Sequence, residues 1–220
     1  MPVMELAKQR TGERSTVSLD AMGTLVRLEP PWEHLAPMLP NTTEGEVEQA
    51  MRAEMAYYRA HSHEGRDAES LKALRERCAN VLASQLGQPV SVVTMMAAIR
   101  FKPYPDAAPA LEALRARGLR TICVSNWDYA LPEVLQRCGL GGLLDGVVTS
   151  AEAGVSKPDP AIFERALSLA GCSAAEAIHV GDSLEEDVEG ARAAGLRAVL
   201  LARDGGGDIR SLAELEGWPA

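Results

Sequence analysis

VSLDAMGTLV, residues 17–26, places one aspartate, Asp20, at the end of an apolar run and follows it with Gly23-Thr24-Leu25. The run reads as a buried strand and the glycine as the turn after it, so Asp20 stands where an α/β protein presents a nucleophile. Two residues on, where acid and base chemistry needs a second carboxylate, the chain carries the thioether of Met22.

Four more short apolar runs match the first, at 121–124, 146–148, 177–180 and 198–201. The connections after the second to fourth runs have helical spacing, the alternation that builds a parallel sheet. Asp106 is placed to cap a helix whose Leu111 and Leu114 turn inward and which Gly118 ends. Segments 128–138, 159–170 and 184–194 repeat that layout, with Gly139, Gly171 and Gly195 just past their ends.

Residues 31–102 break the alternation with helical patterns only. Thr43 and Glu46 form a capping box ahead of Val47, Met51, Met55 and Tyr58, and Leu71, Leu74, Cys78, Val81 and Leu82 follow at helical spacing up to Gly87. Pro30-Pro31 marks one end of the segment, and Pro103 and Pro105 mark the other. The expectation is a three-layer, Rossmann-like α/β core with five parallel strands, built from 15–30 and 103–220. An all-helical cap is inserted at 31–102, and 1–14 is a flexible lead-in. A helical flank without a functional role is the plain alternative for the insert.

A chain of 220 residues can bury about 70% of its unfolded surface without staples. The four cysteines are widely spaced with no CxxC pair, which argues against a zinc site or a disulfide framework and fits a reducing cytoplasm. With 31 acidic and 22 basic residues, a net charge of -9 and no basic run, the chain repels a nucleic-acid backbone. The first 16 residues are too polar for a signal peptide, and no apolar run approaches the roughly 18 residues of a membrane span. The partner expected is therefore a small molecule, and the location cytoplasmic; the sequence does not assign an oligomeric state.

In an open parallel sheet, ligands bind at the carboxyl ends of the strands. Here those ends carry Asp20, then Ser125-Asn126, then Lys157 in VSKPDP, then Gly181-Asp182-Ser183 with Asp187 a turn later. If they converge, three carboxylates face one ammonium, an imbalance that a low-dielectric cleft penalises and a divalent cation removes. Oxygen-only donors favour magnesium. Lys157, Ser125 and the amides around Gly23 and Thr24 suit an oxyanion such as a phosphoryl group.

DAMGT, VSN, SKPDP and GDSLEED, in that order at successive strand ends, resemble the four motifs of the haloacid dehalogenase-like (HAD) hydrolase superfamily. The helical insert resembles the cap that one subgroup carries between the first and second motifs. The resemblance implies that Asp20 is the nucleophile that forms an aspartyl-phosphate. It implies that Mg2+ is held by Asp20, the main-chain carbonyl of Met22, Asp182 and Asp187, the last as ligand or as holder of bound water. Thr24, Ser125 and Lys157 would orient the nucleophile and the phosphoryl group, with Lys157 counted as catalytic and Asn126 grouped with the phosphate-binding residues.

Phosphatases of this superfamily usually have a second aspartate at the position of Met22, which protonates the leaving oxygen and then activates water. Methionine does neither, and general acid–base catalysis is worth about 100- to 10,000-fold. Three expectations follow. One is a magnesium-dependent phosphatase of a small phosphomonoester with leaving-group-sensitive turnover. Another is a catalytically weak or inactive protein that binds a phosphorylated ligand. The third is a 2-haloacid dehalogenase, whose halide needs no proton but whose metal-free chemistry leaves Asp182 and Asp187 without a purpose. His34, His61 and His63, in the linker or cap, are candidates to replace the acid, with plain exposure as the alternative. His179 reads as a packed strand residue, Asp128 as a helix N-cap or a cleft residue, and Trp127 as pocket wall or packing. Glu185 and Glu186 read as favourable charges at a helix start.

Overall fold

The computed structural model describes residues 16–217; the lead-in expected at 1–14 lies outside them. The strand before Asp20 is β1 (Thr16–Leu19), buried throughout. It is followed by β2 (Val26–Leu28), which pairs antiparallel with β3 (Phe101–Pro103) on the far side of the helical segment. This ribbon was not expected, because three-residue strands carry too little alternation to be read.

Between the two ribbon strands lie α1 (Pro31–Leu35), α2 (Glu44–His61), α3 (Ala68–Leu86) and α4 (Val92–Ala98). The capping box starts α2: Thr43 N–H donates to Glu46 Oε2 (2.8 Å) and Glu46 N–H to Thr43 Oγ1 (3.3 Å). Asp67 caps α3, accepting from Ser70 N–H at 2.8 Å, and Gly87 ends it in the left-handed region at φ 63°. These helices enclose their own apolar cluster, with Leu35, Met51, Leu74, Leu82 and Met95 buried in it, and Ala130 joins from the loop after the second core strand.

That core strand is β4 (Arg120–Ser125), preceded by α5 (Ala107–Ala116) and followed by α6 (Leu131–Arg137). Next come β5 (Gly146–Thr149), α7 (Ser150–Ala153), α8 (Pro160–Ala170), β6 (Ala177–Gly181), a π-helical turn at Leu184–Glu189, α9 (Gly190–Ala193) and β7 (Arg197–Leu200). The sheet is fully parallel in the order β5-β4-β1-β6-β7. Both faces are covered, as the period of two requires: Cys123 packs with Leu111, Leu114 and Leu131 on one side, while Ile122 and Val124 pack with Ile162 and Phe163 on the other. The order reverses at β1, since the chain first builds outward through β4 and β5 and then returns to β6. The crevice of this sheet therefore opens at the ends of β1, β4 and β6.

Three local expectations are corrected. The helix expected from Asp128 starts at Leu131, because the Asp128 carboxylate folds onto Ala130 N–H (2.8 Å) and makes a turn instead. Asp106 sits at the N-cap of α5, but its carboxylate does not cap the helix; it accepts from Ser211 Oγ (2.7 Å), Leu212 N–H (2.9 Å) and Arg203 Nη1 (3.0 Å). The segment 184–194 divides into the π-helical turn and the short α9.

Candidate active site

At the reversal point, β1 ends on Asp20, which is nearly buried. Its Oδ1 accepts from Ser125 Oγ (2.9 Å), at the end of β4, and from Lys157 Nζ (2.6 Å). Among the described residues, no hydrogen bond reaches Asp20 Oδ2. Lys157, itself buried, also donates to Asp187 Oδ1 (2.5 Å). Asp187 is held further by Ser183 N–H on Oδ2 (3.0 Å), and its Oδ1 lies 3.1 Å from His179 Nε2. One ammonium thus joins the carboxylates of two strand ends.

Two glycines make room for this cluster. Gly23 has φ 82°, and a Cβ there would lie 2.0 Å from Asp182 Oδ2, so the Asp182 carboxylate rests against bare backbone. At Gly181, a Cβ would lie 2.1 Å from Asp187 Cγ; glycine lets Asp187 fold back over the end of β6. Oxygens of Asp20, Asp182 and Asp187 come within 4.8 Å of one another, a set able to hold a metal ion.

The carboxylates differ electrostatically although they share a lysine. Burial pushes Asp20 up to about 6, and the attraction of Lys157 only partly offsets it. Burial also raises Asp187, but Lys157 and the His179 hydrogen bond outweigh it and hold the group below the usual carboxylate range. Burial works to lower Lys157, and its two carboxylates more than reverse that, keeping the ammonium charged. Asp182 is exposed as a residue, yet desolvation on its inner side and the charge of Asp187 raise its pKa.

The other residues singled out in the sequence fall into place differently. Thr24 is fully buried, and its hydroxyl has no partner among the described residues. Met22 is half-buried against the sheet's apolar cluster. Asn126, expected among the phosphate-binding residues, lies against the lysine's main chain: its Oδ1 accepts from Lys157 N–H (2.7 Å), and its Nδ2 donates to Lys157 O (3.0 Å) and Glu186 Oε2 (3.1 Å). Its amide is committed to the lysine's main chain. Glu186, read as a helix-start charge, gains a partner by the same contact. Trp127 is buried with its ring 5.1 Å from that of Phe101, a packing role. His34 lies 3.6 Å from Glu29, and His61 stacks on Tyr57 with Nδ1 2.7 Å from Tyr57 O; neither contacts the site carboxylates. His63 lies in the short turn Ser62–Glu64.

Sequence reading missed two contacts. His179 bridges Ser18 Oγ (2.8 Å) and Asp187, a contact signalled only by a histidine inside an apolar strand. Tyr58 of α2 donates to Asp128 Oδ2 (2.7 Å), tying the insert to the loop after β4. Burial is the main cause that raises both groups' pKa values.

A parallel sheet whose reversal point gathers an aspartate, a lysine and two further carboxylates defines a hydrolase of the HAD type. The haloacid dehalogenase-like hydrolase family matches residues 15–195, and the chain belongs to it. It is 45% identical over 96 residues to haloacid dehalogenase-like hydrolase domain-containing protein 3 of Bos taurus, covering 44% of this chain and 38% of the relative. It is 41% identical over 105 residues to a phosphoserine phosphatase of Thermus thermophilus, covering 47% and 42%. The matches thus span about two fifths of these relatives' length. Among solved structures, a HAD phosphatase from Thermococcus onnurineus superimposes with a TM-score of 0.65 at 25% identity over 92% of this chain and 96% of that one. The L-2-haloacid dehalogenase from Xanthobacter autotrophicus does so with 0.70 at 21% over 93% and 97%, a likeness of fold. No helix of the described residues is long and apolar enough to cross a membrane.

Proposed function

We propose that this hydrolase is a magnesium-dependent phosphatase of small phosphomonoesters, working through an aspartyl-phosphate on Asp20 and lacking the usual acid because Met22 occupies its place. The observation that carries the reading is the asymmetry of Asp20: Oδ1 is fixed by Ser125 and Lys157, while Oδ2 has no hydrogen bond among the described residues and the oxygens of Asp182 and Asp187 lie close by. The donor set suits magnesium. It is all oxygen and carries three carboxylates against one lysine, and burial has already raised Asp20 for want of compensating charge. Asp20, Asp182, Asp187 and the Met22 carbonyl would hold the ion, which when bound neutralises charge on the carboxylates and phosphoryl oxygens.

The chain's own residues then act in sequence. Asp20 attacks phosphorus and the bond to the leaving oxygen breaks, with Lys157 and Ser125 holding the nucleophile's plane. An aryl leaving group departs as a stable anion, whereas an alkoxide needs a proton that Met22 does not supply. Water then attacks phosphorus, the bond to the Asp20 oxygen breaks and inorganic phosphate leaves with the free carboxylate restored, again without a carboxylate at position 22 to take the water's proton. The buried Thr24 hydroxyl, unpartnered among the described residues, is available to a phosphoryl oxygen. Residues 31–102 serve as the cap that shelters the reaction and selects the substrate. Relatives named as phosphoserine phosphatase and glyceraldehyde 3-phosphate phosphatase support small phosphorylated substrates as a class. Four unpaired cysteines support a cytoplasmic setting.

Aryl phosphate, alkyl phosphates and a 2-haloacid, each assayed with and without magnesium, test the reading. Magnesium-dependent phosphate release that favours the aryl ester and vanishes in Asp20→Asn supports it; metal-independent halide release overturns it. Met22 favours one second reading, a phospho-ligand-binding protein with little turnover, which predicts phosphate-analogue binding and silence on every substrate.

A further inference from the structure

We infer that Arg203 is a positioning residue for the turn that carries Asp20, an inference that rests on the phosphatase reading above. Arg203 lies in the loop after β7, and each guanidinium nitrogen has a separate acceptor. Nε donates to Gly23 O (3.2 Å), Nη2 to Thr24 O (2.8 Å) and Nη1 to Asp106 Oδ2 (3.0 Å). The guanidinium carbon sits 3.6 Å from the centroid of the Tyr104 ring. Asp106, fixed by Ser211 and Leu212, anchors the cation in place.

These contacts matter because the turn pivots on a glycine, the residue with the widest backbone freedom. Gly23 holds φ 82° with no Cβ to restrict it, and Asp182 leans on its backbone. A trans peptide points its N–H opposite to its C=O, so holding Gly23 O on the Arg203 side directs Thr24 N–H away from it. Gly23 N–H is likewise fixed by Val26 O (2.9 Å), which sets the direction of the Met22 carbonyl. Arg203 and Val26 together therefore orient the backbone groups that face metal and phosphate in the proposed reaction. The same arginine stacks on Tyr104, whose N–H donates to Leu25 O (3.0 Å), so the turn and the base of the helical insert share one support. Lysine, a point charge without a planar fork, cannot reproduce the pair of carbonyl contacts.

The test compares the full-length wild type, Arg203→Lys and Arg203→Met by three measurements. These are hydrogen exchange of the peptide spanning residues 20–26, Mg2+ binding by calorimetry without substrate, and kcat and KM on an aryl phosphate at saturating magnesium. The expected result is faster exchange in the turn, Mg2+ binding weaker by about tenfold and kcat lower by about 10- to 100-fold with KM little changed, in both variants. Arg203→Lys is the informative variant if Arg203→Met fails to fold. A folded variant with wild-type turn exchange and wild-type Mg2+ affinity overturns the inference. If the wild type hydrolyses no phosphate ester, the phosphatase reading fails by itself, and exchange and Mg2+ binding still decide the role of Arg203.

Discussion

The ends of the sheet and the helical insert are built on opposite principles. At the sheet, Asp20, Lys157 and Asp187 are buried ionisable groups locked to one another by the two hydrogen bonds of the lysine ammonium. In the insert, apolar packing dominates, and its links to the loop after β4 include a tyrosine on an aspartate, Tyr58 to Asp128, and Tyr129 N–H on Gly65 O (2.9 Å). Buried charges must be mutually satisfied or they destabilise the fold, so the sheet ends can have only one arrangement. An apolar cluster tolerates many sequences of similar volume. On the proposed reading, chemistry belongs to the first region and substrate choice to the second.

The largest effect should come from the sheet ends. Asp20→Asn removes the nucleophile, and steady-state phosphate release should fall by at least about 1,000-fold on every ester, with Mg2+ binding weakened. If Asp20→Asn keeps a tenth of wild-type activity, the contrast collapses, because the locked cluster would then be structural. Met22→Asp should act next in size and in the opposite direction. A proton carrier restored at that place should raise kcat on alkyl phosphates by about 100-fold or more, through both departure of the leaving oxygen and hydrolysis of the aspartyl-phosphate, whereas aryl phosphates gain through the hydrolysis step alone and so gain less. Equal gains on both would mean that the leaving oxygen is not the limitation.

The pH dependence of stability separates the two carboxylates on Lys157. In the metal-free protein burial pushes Asp20 up to about 6, against an ordinary 3.8, so folding favours its protonated form. Its contribution to stability is complete below about pH 4 and is lost as pH rises through about 6, a change of about 3 kcal/mol. Asp187, held below the usual range, has the opposite sign: its contribution is present at neutral pH and is lost as the medium becomes strongly acidic. Thermal melts from about pH 4 to 7 should show this decline in the metal-free wild type, and Asp20→Asn should flatten it. Added magnesium should oppose it by binding the ionised form. The smallest effect belongs to the insert. Tyr58→Phe removes its bond to Asp128 and should change KM by a few-fold with kcat nearly constant, read from the same aryl phosphate assay.

What the sequence reveals follows the same division. Five apolar runs with polar tips expose the sheet and bring Asp20, Ser125, Lys157, Asp182 and Asp187 into one site, because strand ends in a parallel sheet share one edge. The capping box at Thr43 and Glu46 and the glycine after α3 announce the insert's helices by local chemistry. What local pattern cannot carry is the partner of a polar side chain. Asp106 looks like a helix cap until Arg203 and Ser211 claim its carboxylate, and nothing near Asn126 in the sequence signals that its amide holds the main chain of Lys157. Arg203 has no signal at all in the sequence, since its acceptors at Gly23 and Thr24 are backbone oxygens that any residue would provide.

The central claim is covalent chemistry at Asp20, slowed in its second step by Met22. The protein is mixed with magnesium and excess aryl phosphate, quenched in acid within the first turnovers and mapped by peptide mass spectrometry. The account predicts a phosphoryl group on Asp20 that accumulates to a large fraction of the enzyme, is absent without magnesium and disappears faster in Met22→Asp. Phosphate release that continues while Asp20 stays unmodified at every time point would contradict it.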